Sequence, residues 1–239
     1  MSRIGGIFTA VTKNCLRSRV GIFFSALFPL MLLLVFGSVF GRSFAGSWVP
    51  ILIGAFVMTN GIVALPAVAT EFKRRGVLKR LSATPLTKLD WIVGNVLSQT
   101  LLAVILTATM VIAGWLVFGV TPVINPLVAI ILFTGAVLFS GMGMLIAGSL
   151  KDPEAASGLG NAISFPMMFL SGTYFPLTMM PSYLQSLTRF LPLFYFQDGL
   201  KAAMVTGNTT TALFDLAVIA VLAFAFILLG SFATRWKEK

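Results

Sequence analysis

Trp91–Leu150 reads WIVGNVLSQTLLAVILTATMVIAGWLVFGVTPVINPLVAIILFTGAVLFSGMGMLIAGSL, 60 residues without an Asp, Glu, Lys or Arg. A charge at the centre of a bilayer costs about 2.5–3.5 kcal/mol on insertion scales. A helix rising about 1.5 Å per residue needs about 20 residues to cross roughly 30 Å of hydrocarbon. The stretch is therefore long enough for two membrane helices. It also carries its own turn, because Gly119-Val-Thr-Pro122-Val-Ile-Asn-Pro126 sets two prolines and a glycine where a helix must stop. Further charge-free intervals lie on either side: 22 residues between Arg19 and Arg42, 28 between Arg42 and Glu71, 34 between Glu154 and Arg189, and 19 between Asp215 and Arg235. Together they predict an all-α polytopic membrane protein, one domain over residues 1–239, with six spans at 20–40, 49–70, 91–118, 127–149, 157–173 and 209–233.

Composition points the same way. Of 239 residues 58% are hydrophobic and only 10% charged, with mean hydropathy +0.99, which is too little polar surface to cover a water-exposed globule. The absence of histidine removes imidazole acid–base chemistry and the commonest zinc ligand. Cys15 is the single cysteine and has no partner for an internal disulfide, so it is expected to be a small packing residue.

The net charge of +10 is read first as membrane topology and not as a nucleic-acid surface. Arg3, Lys13, Arg17 and Arg19 precede the first span; Lys73, Arg74, Arg75, Lys79, Arg80 and Lys88 fill the second loop; Lys151 lies in the fourth; Arg235, Lys237 and Lys239 follow the last. These 14 on one side oppose Arg42, Arg189 and Lys201 on the other, which predicts cytoplasmic termini in a cytoplasmic membrane. The first span exceeds the apolar core of about 7–15 residues in a cleavable signal, so it is expected to remain as an anchor.

Three segments outside the spans have a pattern of their own. In residues 1–19, Ile4, Phe8, Val11 and Cys15 recur on one face while Lys13 and Arg17 point away, the pattern of an interfacial helix; a plain basic anchor is the blander reading. Residues 71–90 mix six basic side chains with Phe72, Val77, Leu78, Leu81, Leu86 and Leu89 before and after a Thr84-Pro85 break. Two readings stay open for them, an amphipathic helix docking another protein or a loop on anionic lipid headgroups. Residues 174–207 are rich in Pro, Phe and Leu and too apolar for a solvated loop, so they are expected to form re-entrant or interfacial helices packed on the spans. Asn208-Thr-Thr210 matches a glycosylation acceptor, a weak signal alone.

The chemistry that is missing narrows the function. Every acidic residue (Glu71, Asp90, Asp152, Glu154, Asp198, Asp215, Glu238) falls at a predicted span end or in a loop, which disfavours a membrane-embedded hydrolase and an ion-coupled carrier. No Gly-x-x-x-x-Gly-Lys-Ser/Thr sequence is present to cradle a nucleotide. Energy for uphill transport would have to arrive from another chain, and Glu71–Asp90 is the best candidate surface for receiving it. A non-transporting scaffold or receptor that docks a cytoplasmic partner through the same loop is the alternative.

Phe28-Pro29 with Val35-Phe36-Gly37, then Glu71-Phe-Lys-Arg-Arg-Gly-Val-Leu-Lys-Arg-Leu-Ser-Ala-Thr-Pro85-Leu, and above all Phe169-Leu-Ser-Gly-Thr-Tyr-Phe-Pro176-Leu-Thr-Met-Met-Pro181 followed by Leu191-Pro192 and Asp198-Gly199-Leu-Lys-Ala-Ala, carry a resemblance. The chain resembles the type-2 ATP-binding-cassette exporter permeases, the daunorubicin-resistance type among them. The resemblance implies a permease subunit, not itself an enzyme, that pairs with a second copy or homologue in membrane lipid and with nucleotide-binding ATPase subunits. ATP and Mg would sit on those subunits, with no cofactor, metal or nucleic acid on this chain. It further implies a drug, lipid or glycolipid cargo.

The resemblance also implies site residues. Partner coupling would fall on Glu71, Lys73, Arg74, Arg75, Leu78, Lys79, Arg80, Leu81 and Pro85, with the coupling helix near Arg75–Thr84. The second and fifth spans would line the pathway, through Phe56, Met58, Asn60, Asn161, Phe165, Met167, Met168 and Ser171. An outer gate would be built from Tyr174, Phe175, Pro176, Phe194 and Tyr195. Beside this stand plainer expectations: the amides of Asn60, Gln99 and Asn161 need hydrogen-bond partners, by default between helices, and Gly37-Ser-Val-Phe-Gly41 has the spacing of a close helix contact.

Overall fold

The computed structural model describes residues 5–9, 12, 19–77 and 87–233, and these hold helices and turns without a strand. Cys15, Leu78, Lys79, Arg80, Leu81 and Pro85 lie outside the described residues. The helices are α1 (Arg19–Phe40), α2 (Arg42–Thr59), α3 (Leu65–Arg74), α4 (Lys88–Phe118), α5 (Pro126–Ser149), α6 (Pro153–Leu170), α7 (Ser182–Thr188), α8 (Pro192–Lys201) and α9 (Thr209–Ala233). A π-helical turn, Asn60–Ala64, joins α2 to α3, and another, Ala202–Thr206, ends α8. Among the described residues four helical stretches are long and apolar enough to cross a membrane: Gly46–Arg74, Leu89–Phe118, Pro126–Ser149 and Thr209–Ala233.

The turns of the 60-residue apolar stretch form where the sequence put them. Thr87 and Asp90 make a reciprocal capping box at the start of α4, with Asp90 Oδ2 accepting from Thr87 N at 2.8 Å. Gly119 ends α4 in the left-handed region at φ 65°, and Asn125 Oδ1 accepts from Val128 N at 2.9 Å to start α5 with Pro126 in its first turn. Asp152 and Pro153 open α6 in the same manner. Boundaries differ from expectation at two places, α6 running from Pro153 to Leu170 where 157–173 was expected. The gap predicted over 41–48 shrinks to Gly41 alone, whose φ of 84° reverses the chain so that α2 begins at Arg42.

Burial sorts the bundle. Within an apolar run of 18 residues, 61% are buried in Gly46–Arg74 and in Pro126–Ser149, against 33% in Leu89–Phe118 and 22% in Thr209–Ala233, so α2–α3 and α5 are the inner helices and α4 and α9 flank them. Glycines set the tightest contacts. A Cβ at Gly141 would press on the Phe226–Ile227 backbone of α9, one at Gly230 on the Gly141 carbonyl, and one at Gly148 on Ala233. Without a hydrophobic drive between helices in lipid, such close van der Waals approach is a main source of association. Gly37 behaves otherwise than its Gly-x-x-x-Gly spacing suggested, seating the Phe118 ring of α4 while Gly41 serves the turn.

The apolar segment after α6 folds back into the bundle. Leu193, Phe196 and Leu200 of α8 are fully buried, and the Phe196 ring occupies the place a side chain at Gly135 of α5 would take. The segment is pinned to the α4–α5 turn by Val123 N donating to Met204 O at 2.9 Å and Asn125 Nδ2 to Ala203 O at 3.3 Å. At the opposite end residues 5–9 lie against α4, where Ile7 is buried over Gly94 and Ser98 Oγ donates to Phe8 O at 3.3 Å.

Candidate functional site

Pro66 decides the shape of the middle of the second long helix. Its ring nitrogen has no hydrogen to give the carbonyl four residues back, at Ile62, and the helix widens into the π-turn Asn60–Ala64 immediately before it. Two neighbouring helices use glycine to reach that turn: Gly143 of α5 faces the Gly61 carbonyl and Gly160 of α6 faces the Ile62 carbonyl, and a Cβ on either would collide.

On the α8 side of this crossing the helices part around a pocket of about 230 Å³. Its walls are Phe28 of α1; Phe56, Thr59, Asn60 and Val63 of the α2–π-turn segment; Asn161, Ser164, Phe165 and Met168 of α6; and Tyr174 from the turn beyond. Phe28 and Phe56 meet edge to face at 6.0 Å, and the Tyr174 hydroxyl lies 3.9 Å from Met168 Sδ. Asn60 Nδ2 donates to Phe56 O at 2.9 Å within its own helix, not to a neighbouring helix as expected. The buried Ser164 hydroxyl has no hydrogen-bond partner. The pocket is thus an apolar, aromatic-walled space with a few polar groups turned into it, the ordinary make-up of a small-molecule site.

Of the eight residues expected on the pathway, Phe56, Asn60, Asn161, Phe165 and Met168 share this pocket. Met58 is fully buried in the core, Met167 packs there too, and Ser171 faces a different cavity. Of the wall residues not expected there, Phe28, Thr59, Val63 and Ser164 among them, Ser164 alone followed a visible signal: with Asn161, Phe165 and Met168 it is spaced i, i+3, i+4, i+7, one stripe of α6, from which Met167 is displaced. Gln99, the third amide expected to find a partner, keeps its Oε1 buried and unpartnered in α4.

The expected gate residues do not come together at one place. Tyr174 walls the pocket; Phe175 is 55% exposed; Tyr195 donates its hydroxyl to Arg189 O at 2.8 Å. Pro176 and Phe194 line a second, more polar cleft of about 410 Å³ with Trp48, Ser171, Gln197, Asp198 and Lys201. There Gln197 Nε2 donates to Ile51 O at 3.0 Å and to Thr173 Oγ1 at 2.9 Å. Burial raises the Asp198 carboxyl above its usual range, and the Lys201 ammonium draws it part of the way back. Asp215, expected at the end of the last span, is buried inside α9 at 3% exposure, admitted by the missing side chain of Gly199.

At the other end of the bundle Glu71 pairs with Arg74 at 2.7 Å and with Arg75, both arginine side chains being well exposed. Gly76, with φ 69°, turns the chain away from α3 just after them. Among the described residues no cluster of acidic or cysteine side chains is arranged to hold a metal ion.

The sequence is similar to those of known permeases. Over 173 residues, 72% of this chain and 44% of the other, it is 28% identical to the linearmycin resistance permease protein of Bacillus subtilis strain 168, so it spans less than half of that relative's length. It is 22% identical to the putative transport permease YvfS of the same organism over 96% of both chains. It is 24% identical to a daunorubicin resistance ABC transporter permease protein of Streptomyces coeruleorubidus over 81% of this chain and 70% of the relative. The ABC-2 type transporter family matches residues 4–205, most of the sequence, and with a bundle of long apolar helices beneath that match the chain belongs to this family of membrane permeases.

Proposed function

We propose that the chain is the membrane subunit of an ATP-driven exporter for a hydrophobic or amphipathic small molecule, and that the pocket between the α2–π-turn segment and α6 is where cargo rests during passage. The observation that carries this reading is the pocket itself, an aromatic and amide-lined space at a mid-helix π-turn, where a helix has two ways of closing its hydrogen bonds. Resistance in the names of the linearmycin and daunorubicin relatives supports a toxic organic cargo. In this reading α1 and α6 join the four long apolar stretches as spans, giving six, with both termini in the cytoplasm, an orientation that the distribution of basic residues supports. A second permease copy or homologue completes the pathway, and two nucleotide-binding subunits dock on residues 71–90. ATP-driven closure of those subunits moves the segment, tilts α3 through the Glu71 ion pairs, and shifts the spans between inward- and outward-facing arrangements, with the α7–α8 region closing the outer end.

Coexpression with a P-loop ATPase from the same genome tests this. Leu78→Asp with Leu81→Asp should abolish copurification of the ATPase, and reconstituted wild-type complex should show ATPase activity that cargo modulates. Full recovery of the ATPase by the double variant would overturn the coupling assignment, and turnover indifferent to this subunit would overturn the transport role.

A further inference from the structure

One carboxyl inside the bundle serves neither the packing nor the transport reading. Asp215 stands six residues beyond Thr209, about 9 Å into α9, one of the stretches long enough to cross a membrane, and is 3% exposed. Its Oδ2 is buried without a hydrogen-bond partner. The carboxyl rests on α8 at Gly199, where a Cβ would lie 3.1 Å from Asp215 Cβ and 3.7 Å from Oδ2, with Ile131 Cδ1 of α5 at 3.8 Å. An ionisable side chain inside a membrane bundle is rare and costly, and where one is kept it normally pairs with an opposite charge or a donor.

The elements around Asp215 supply no such pair. α9 packs on α5, on α8 and on the π-turn Ala202–Thr206. Neither α5 nor the π-turn contains a charged residue, and α9 contains none besides Asp215. α8 brings two, Asp198 and Lys201. Asp198 precedes Gly199 and sets a second carboxylate close enough to act on the first, while the Lys201 ammonium acts on Asp198. An ionised Asp215 would be a buried charge with no donor at Oδ2 and a like charge beside it, a cost that the group escapes by keeping a proton. On its other sides α8 is fixed by other means. Gln197 Nε2 donates to Ile51 O of α2 at 3.0 Å, and Phe196 fills the notch at Gly135 of α5. Towards α9 its seating depends on a group that can change charge.

We infer that Asp215 is a proton-binding site that latches α8 to α9: the neutral carboxyl lets Gly199 close on it, and release of the proton sets two carboxylates against each other and lifts α8 from α9. The seated arrangement holds the proton more tightly than the parted one, so the latch is closed at low pH and opens as pH rises. This stands on the helix packing and does not rest on the transport reading; within that reading, the pH on the α8 side of the membrane acts on the closure of that end.

Infrared spectra of the full chain in an ester-free detergent test the proton. At about pH 6 ordinary carboxyls are ionised, so a carbonyl band of a protonated acid is expected from wild type, lost in Asp215→Asn and kept in Asp198→Asn. Deuterium uptake by the backbone amides of α8 tests the latch. Wild type and Asp215→Asn should exchange alike at the lower pH. At about pH 9 wild type should exchange faster than Asp215→Asn by at least about tenfold, the factor that one pH unit of linkage supplies. Asp198→Asn should fall between them, since one of the two opposed charges is gone. No protonated-acid band at the lower pH, a band that survives Asp215→Asn or vanishes in Asp198→Asn, or α8 exchange at the higher pH that is the same in wild type and the variants would overturn the inference. If Asp215→Asn does not assemble, wild type and Asp198→Asn still decide it through the same band and the same difference in exchange.

Discussion

Two helix contacts in this bundle obey opposite rules. Along α5 and α9 glycine meets backbone at Gly141, Gly148 and Gly230, and the two helices close on each other over most of their length. Along the π-turn and α6 the approach is equally close at one point, where Gly160 reaches the Ile62 carbonyl, but one turn further the helices separate around Phe56, Asn161 and Phe165. In lipid, where apolar surface gains nothing by leaving the solvent, a contact with no gap is held by packing and an opened contact is held by little. The first contact is therefore a fixed frame, and the second is where the bundle can change shape at small cost.

The largest effect that this difference predicts is on the fixed side. Gly141→Leu would drive a side chain into the Ile227 amide and the Phe226 carbonyl carbon, backbone atoms that cannot turn aside. Overpacking costs about 1–3 kcal/mol and sometimes more, and here it should reach the upper end or prevent assembly. Thermal unfolding followed by size-exclusion of detergent-extracted protein measures it. A variant as stable as wild type would show that α5 and α9 slide freely, and the frame would have to be sought elsewhere.

A smaller effect is expected at the opened contact. Asn60→Leu removes the bond from Nδ2 to Phe56 O, yet that carbonyl already accepts from the Asn60 backbone N–H, so no buried acceptor is orphaned. The stability loss should stay within about 0.5–1.5 kcal/mol, the net value of one hydrogen bond. Cargo-stimulated ATPase activity of the reconstituted complex should change by a larger factor, because the amide is one of the few polar groups turned into the pocket. A stability loss comparable to that of Gly141→Leu would make Asn60 a structural residue and cancel its assignment to the pathway.

The sequence made the frame and the cavity legible to different degrees. The turn over 119–126 could be read because Gly and Pro act locally at helix ends, whereas α4 starts at Lys88 and α6 at Pro153, ahead of the spans expected at 91 and 157, because loss of charge marks where lipid begins and not where Thr87 or Asp152 caps the helix. The pocket was half legible. Residue type drew attention to Asn60, Asn161 and Phe165, and helical spacing would have added Ser164, but Met58 and Met167 have the same chemistry and point into the core. Which way a side chain on an evenly apolar helix faces depends on its neighbours, and a helix apolar all round carries no moment to show it. The glycine contacts were least legible of all, since in a chain with 22 glycines only the partner backbone distinguishes Gly141 or Gly143 from Gly158, which meets nothing.

The smallest effect tests the comparison at its finest point. Phe165 is 54% exposed and lines the pocket from a turn of α6 with no glycine, so Phe165→Leu changes a half-exposed ring outside the close helix contacts. Stability should remain within about 0.5 kcal/mol of wild type, as for substitutions away from packed contacts. The pocket would still lose one of its aromatic walls, and flat aromatic surface supplies much of the attraction for a cargo that the surrounding lipid would otherwise dissolve equally well. Half-maximal stimulation of the ATPase should therefore move to higher concentration for an aromatic cargo and stay in place for an aliphatic one of similar size. Parallel shifts for both cargoes would mean that Phe165 acts on the movement of α6 and not on what the pocket holds, which would place the flexible contact and the binding surface on different sides of the same helix.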